Sequence, residues 1–146
     1  MSRMAWITSS AVVPLLLEQP LSGRARELLE EDEEVVVWWG TPVECASAFA
    51  RLRREREVST SEEAELVRML ERLRLGWYEM VPGDRIRVQA QRVLRLHPLR
   101  AGDALQLAAA IEWAGQPASG RLVTFDERLA GAAAREGFEV LGGTST

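Results

Sequence analysis

Apolar positions along the chain change period several times, and each change marks an element. Met4-Ala5-Trp6-Ile7 is a short β-prone run. Val12, Val13, Leu15, Leu16 and Leu17 then fall in a helical segment behind Ser9 or Ser10 as its cap. Gly23 to Glu31 reads as a helix with Leu28 and Leu29 facing inward. Val35 to Trp39 is a second strand, three β-branched residues followed by two aromatics and closed by Gly40. Thr41 as cap and Pro42 at the first helical position start a helix whose stripe is Cys45, Ala48, Phe49 and Leu52. Ser59, Thr60 and Ser61 before Glu62 and Glu63 offer a capping box for a helix to Leu75.

Beyond this, Glu79-Met80-Val81 predicts a short strand. Asp84 to Leu96 predicts a helix with Ile86, Ala90, Val93 and Leu94 inside, broken at His97-Pro98. Asp103 to Trp113 is an alanine- and leucine-rich helix with a buried position. A loop from Gly115 to Gly120, a strand at Leu122 to Thr124, a helix from Asp126 to Glu136 and a last strand at Phe138 to Leu141 follow, with Gly142 to Thr146 as a frayed tail. Strands separated by helices predict an α/β fold, a three-layer α/β/α sandwich around a mainly parallel sheet. No repeat or linker interrupts the pattern, so residues 1–146 are expected to form one domain.

Composition narrows the chemistry. With 47% apolar and 27% charged residues the chain is globular in character. A net charge of −4 argues against a protein that coats DNA non-specifically. All 18 basic residues are arginine, which excludes a lysine Schiff base and a Walker-A lysine. The single cysteine, Cys45, has no internal partner and no zinc spacing, and reads as a small buried residue. The single histidine, His97, argues against a His-rich metal site and reads as a structural hydrogen-bonder at a helix end. The uncharged run Met4 to Leu17 is shorter than the about 20 residues a membrane span needs. Thr8, Ser9, Ser10 and Pro14 interrupt it, so it reads as strand and helix rather than as a secretion signal, and a cytoplasmic, non-membrane protein is expected.

In open parallel sheets, sites collect beyond the carboxyl ends of the strands. Four strand-to-helix junctions stand out: Thr8-Ser9-Ser10 after the first strand, Glu44 after the second, Asp103 at the start of a buried helix, and Asp126 after Leu122-Val123-Thr124. Aspartate is scarce, at Asp32, Asp84, Asp103 and Asp126 only, and two of these occupy such junctions. An aspartate there is also an ordinary helix cap worth ~1 kcal/mol. Converging carboxylates repel one another unless a cation neutralises them, and hard oxygen ligands suit Mg²⁺ or Mn²⁺. Metal-dependent phosphodiester cleavage is the chemistry such a set performs. Arg51, Arg53, Arg54 and Arg56 close the Glu44 helix, and two readings stand side by side: cations that hold RNA phosphates, or a solvated helix end favoured by the dipole. Arg100 either pairs with a carboxylate or holds phosphate. Trp38, Trp39 and Trp77 are core aromatics or part of a surface used for pairing.

Four stretches together resemble the PIN-domain ribonucleases, and within them the VapC-like toxins of bacterial toxin–antitoxin pairs. Trp6-Ile7-Thr8-Ser9-Ser10-Ala11-Val12-Val13 looks like the family's opening strand and turn, and Thr41 to Ala48 like the segment that holds its glutamate. Leu99-Arg100-Ala101-Gly102-Asp103-Ala104-Leu105-Gln106-Leu107-Ala108 resembles its Arg-x-x-Asp-Ala-x-x-Leu-Ala helix. Leu122 to Ala130, with Gly137 to Val140, resembles its closing strand–helix–strand. The resemblance implies that Glu44, Asp103 and Asp126 are three of four acidic residues that hold Mg²⁺ (or Mn²⁺) and orient water. Thr8, Ser10 and Thr124 stand behind them, and Arg100, Arg51 and Arg54 bind substrate. It further implies an RNA substrate, a cognate antitoxin protein and a homodimer.

The family's first acidic position falls on Thr8, whose neutral oxygen has poor metal affinity. That substitution is compatible with a natural degenerate member, with a deliberate replacement that makes a toxic protein expressible, and with a weakly metal-binding site that still cleaves. Two functions are therefore expected in turn: a divalent-metal endoribonuclease weakened at Thr8, and a catalytically silent PIN domain that binds RNA or protein. A receiver-type or phosphatase-type domain is disfavoured, since each wants an acid after the first strand and a later lysine.

Overall fold

The computed structural model of the chain describes residues 4–30, 34–115 and 118–142. Among these, five strands form one parallel sheet: β1 (Met4–Ile7), β2 (Glu34–Trp38), β3 (Tyr78–Met80), β4 (Arg121–Thr124) and β5 (Glu139–Gly142), in the order β3-β2-β1-β4-β5. Register pairs Trp6 with Val36 on one side and with Leu122 on the other. Side chains alternate across a strand, so the sheet feeds two cores. Ala5, Ile7, Val37 and Val123 pack under α1 (Ser9–Leu16), α2 (Ser22–Glu30), α3 (Thr41–Arg54) and α4 (Thr60–Arg74). Trp6, Val36, Trp38 and Leu122 pack under α5 (Asp84–Leu96), α6 (Ala101–Ala114) and α7 (Glu127–Glu136). The result is the expected three-layer α/β/α sandwich.

Element boundaries follow local chemistry. Ser59 accepts from the Glu62 amide while the Glu62 carboxylate accepts from the Ser59 amide, the expected capping box. The cap of α3 is Gly40 rather than Thr41. A Cβ at Gly40 would stand 2.6 Å from the Trp38 indole nitrogen, so a side chain here would have to push the Trp38 ring aside. On α5 the inward stripe is Ile86, Gln89, Ala90 and Val93, while Leu94 is 42% exposed, against expectation. One further residue along a helix turns about 100° off the stripe, and the polar Gln89 takes the inner place because α6 offers it the Glu112 carboxylate. Gly142 closes β5 rather than opening a tail; the rest of the expected tail lies outside the described residues, as do Asp32 and part of the expected loop before β4.

The order of strands decides where a site can form. After β3 the chain returns across the sheet to lay β4 on the far side of β1. The carboxyl ends of β1 and β4 therefore sit at a topological switch point, where neighbouring crossovers part and leave a crevice.

Candidate active site

Three hydroxyls form the floor of that crevice. Thr8 follows β1, is 1% exposed, and donates to Thr124 Oγ1 at 2.8 Å. Ser10 lies 3.1 Å from each of them. Thr8 occupies the cap position of α1, in place of the expected Ser9 or Ser10, but makes no cap bond with its side chain because the hydroxyl is turned toward Thr124. Ser10 accepts from the Phe125 amide at 2.9 Å, and Thr124 accepts from the Asp126 amide at 3.2 Å. These bonds tie the end of β1 to the loop after β4.

Two of the carboxylates, Glu44 and Asp126, line a cleft together with Ser10, and Asp103 is near enough to act on Glu44. Asp126 is the cap of α7 and accepts from the Leu129 amide at 2.9 Å, so it serves as a cap and still faces the cleft. Asp103 lies in the first turn of α6, which follows α5 directly; it reaches the site from a helix–helix turn rather than from a strand end. Its carboxylate accepts from the Arg100 backbone amide. Glu44, in the first turn of α3, accepts from Gln106 Nε2 at 3.0 Å. A cleft of about 430 Å³ is lined by Glu44, Asp126, Ser9, Ser10, Ser47 and Arg51, among others.

Electrostatics joins the three acids. Burial, reinforced by the Asp103 charge and only partly relieved by Gln106, pushes the Glu44 carboxyl up to about 7. Burial and the Asp126 charge also raise Asp103, against the opposing pull of Arg100 and Arg128. Cys45, next to Glu44, is pushed up to about 12 by burial and that neighbour, so its thiol is inert.

The PIN domain family matches residues 7–135. The chain belongs to that family. No curated protein sequence matches it. Solved structures similar to this PIN domain include VapC20 of Mycobacterium tuberculosis, a Sarcin-Ricin loop cleaving toxin, at 16% identity and a TM-score of 0.67 over 88% of this chain and 94% of that one. VapBC2 of Rickettsia felis bound to a promoter DNA fragment matches at 12% identity and 0.65 over 94% and 98%. A toxin–antitoxin complex from Klebsiella pneumoniae matches at 16% and 0.60 over 87% and 91%. At these identities the likeness establishes the fold.

PIN nucleases are generally divalent-metal dependent. Among the described residues no three His, Cys, Asp or Glu side chains are arranged to hold a metal ion by themselves. The donor set still fits a hard cation. It consists of oxygens only, the charge of one acid raises the proton affinity of the next at Glu44 and Asp103, and Mg²⁺ is commonly held by one or two carboxylates with the remaining positions filled by water. No closed cage is needed for such an ion.

Of the residues singled out for substrate, Arg51 lines the cleft and Arg100 lies close enough to act on Asp103. Arg54 is exposed in the last turn of α3 and does not line the cleft. Two residues were missed in the sequence. Arg128 lies near enough to lower Asp103, and Gln106 holds Glu44. Gln106 had a signal: it follows Asp103 by three residues and so shares its helix face. Among the described residues no helix is long and apolar enough to cross a membrane.

Proposed function

We propose that this PIN domain is a VapC-like toxin of a toxin–antitoxin pair, a cytoplasmic endoribonuclease that hydrolyses RNA phosphodiester bonds with Mg²⁺ or Mn²⁺. The observation that carries the reading is the chain of like charges at the carboxyl edge of the sheet, where the Asp103 charge raises Glu44 and the Asp126 charge raises Asp103. In this reading Asp103 and Asp126 hold the cation, and Glu44 completes the set from α3. Bound there, the cation supplies neutralisation of phosphoryl charge and a more acidic water. Arg51 at the cleft wall takes an RNA phosphate, Arg100 steadies Asp103, and Arg54 extends the basic end of α3. The neighbours' toxin–antitoxin complexes support a cognate antitoxin as partner. Trp39, 52% exposed, supports a homodimer, which light scattering at micromolar concentration checks.

Thr8 favours the second reading, a silent PIN domain that binds RNA or protein. Its hydroxyl, satisfied by Thr124 and Ser10, brings no charge to the site. Purified protein incubated with RNA in Mg²⁺, in Mn²⁺ and in chelator decides between the two. Weak metal-dependent cleavage that disappears in Asp103→Asn supports the nuclease. No cleavage by the unmodified chain and by Thr8→Asp alike supports the silent domain.

A further inference from the structure

The amide of Gln106 is 2% exposed and lies between the core and the cleft. Its oxygen accepts from Trp6 Nε1 at 2.9 Å. Its nitrogen donates to Glu44 Oε1 at 3.0 Å and to Thr41 Oγ1 at 3.3 Å. An indole N–H only donates, so the amide atom facing Trp6 must be the oxygen. The nitrogen is thereby turned toward Glu44, and a flipped amide would set donor against donor and oxygen against carboxylate. Trp6 cannot adjust: it lies on the central strand, fully buried, with its ring tilted against Trp113 at 5.8 Å. Thr41, displaced from the cap role, spends its hydroxyl on the same amide.

We propose that Gln106, oriented by the Trp6 indole, is a positioning residue that locks the Glu44 carboxylate, engaging Oε1 and presenting Oε2 to a divalent cation. This rests on the metal-dependent function proposed above. Among the described residues Oε2 has no hydrogen-bond partner, and Gly102 on α6 leaves open beside it the space that a Cβ, in contact with Oε2 at 3.8 Å, would fill. A buried amide held at three points removes the rotamer freedom that a free glutamate would have to lose on binding the ion.

The test uses Gln106→Met, which keeps the bulk and removes both polar ends, and Trp6→Phe, which removes the orienting N–H at a fully buried position. Trp113→Phe loosens the packing around Trp6 but leaves its N–H in place. Calorimetry with Mn²⁺ alone should show affinity reduced about tenfold in Gln106→Met, the scale seen when a partner of a metal ligand is lost. Trp6→Phe should lose affinity in the same direction but less, the double variant should be no worse than Gln106→Met, and Trp113→Phe should match the unmodified protein. RNA cleavage should fall in kcat with KM for RNA unchanged. Unchanged Mn²⁺ affinity in Gln106→Met, or losses that simply add, overturns the relay even if RNA is cut.

Cleavage that fails in every form while Mn²⁺ binding follows this pattern supports the relay and overturns the ribonuclease reading. Absence of Mn²⁺ binding in the unmodified chain overturns both. Where a variant does not fold, the unmodified protein still reports: Mg²⁺ should shift the Trp6 indole N–H resonance through the amide, and a resonance that stays still overturns the relay.

Discussion

Glu44 and Glu136 are both carboxylates drawn out of water beside helix ends, and their surroundings act in opposite senses. Glu136, with its side chain 11% exposed at the end of α7, meets Arg92 Nη2 at 2.6 Å and His97 Nε2 at 2.7 Å from the end of α5. Burial works against its charge, but the hydrogen bonds from Arg92 and His97 outweigh it and hold the carboxyl below its usual range. Glu44 has no cation of its own; burial and a neighbouring acid raise it to about 7. The first carboxylate is finished by the fold, whereas the second is left with charge that the fold does not balance. An unbalanced charge costs stability, and the metal-binding role proposed for Glu44 would account for that cost. His97, the lone histidine, therefore serves the structural region.

Breaking the finished pair should have the largest effect. Glu136→Ala leaves Arg92 and the buried His97 without their partner, and should lower unfolding free energy by about 2–3 kcal/mol, somewhat under the usual cost because Arg92 keeps contact with water. Urea denaturation measures it, and Mn²⁺ affinity of the folded fraction should be unchanged.

Adding charge to the unfinished region should come next. Thr8→Asp places a fourth carboxylate beside Ser10 and Thr124. Mg²⁺ binding should tighten about fivefold or more, since one added charge near a cation is worth at least about 1 kcal/mol. RNA cleavage should rise with it, and the metal-free protein should melt lower. If affinity and cleavage both stay the same, Thr8 is not at the metal position.

The pH dependence should divide the two regions by sign. Glu44 and Asp103 have folded values above their unfolded ones, so the folded protein keeps protons that the unfolded chain releases. Their contribution favours folding at low pH and is lost as pH rises from the ordinary carboxylate range through about 7. Metal-free protein followed by thermal melts in chelator should thus lose stability between about pH 5 and pH 8, and Mg²⁺ should restore it by binding the folded state. Glu136, held low, contributes stability present above its unfolded value and lost as pH falls below about 4.5.

The smallest effect sharpens the contrast. Glu44→Gln removes the unbalanced charge and should stabilise metal-free protein at pH 8 by about 1 kcal/mol or less, after discount for its partial access to water. It should also flatten the slope above. A destabilised Glu44→Gln protein would mean that Glu44, like Glu136, is part of the frame.

Much of this was legible along the chain. Alternation of strand and helix, the capping box at Ser59 and the helix from Asp84 to Leu96 depend on local spacing and local hydrogen bonds, which a sequence carries directly. The candidate acids were legible for the same reason, as polar residues at helix starts. What partners each residue was not. Thr41 looked like a cap but its hydroxyl accepts from the Gln106 amide, and Leu94 looked internal but faces out while Gln89 turns in. Those outcomes depend on residues far away in the chain, such as Trp6 and Gln106, which stand 100 positions apart. Only the return of β4 to the far side of β1 brings Thr124 and Asp126 to Thr8, and only the stacking of α6 over the sheet brings Asp103 to Glu44. By itself the sequence determined the elements and the kinds of chemistry available. The tertiary structure decided which charges are neutralised and which remain open, because Coulomb interactions and desolvation depend on separation in space and not on spacing along the chain.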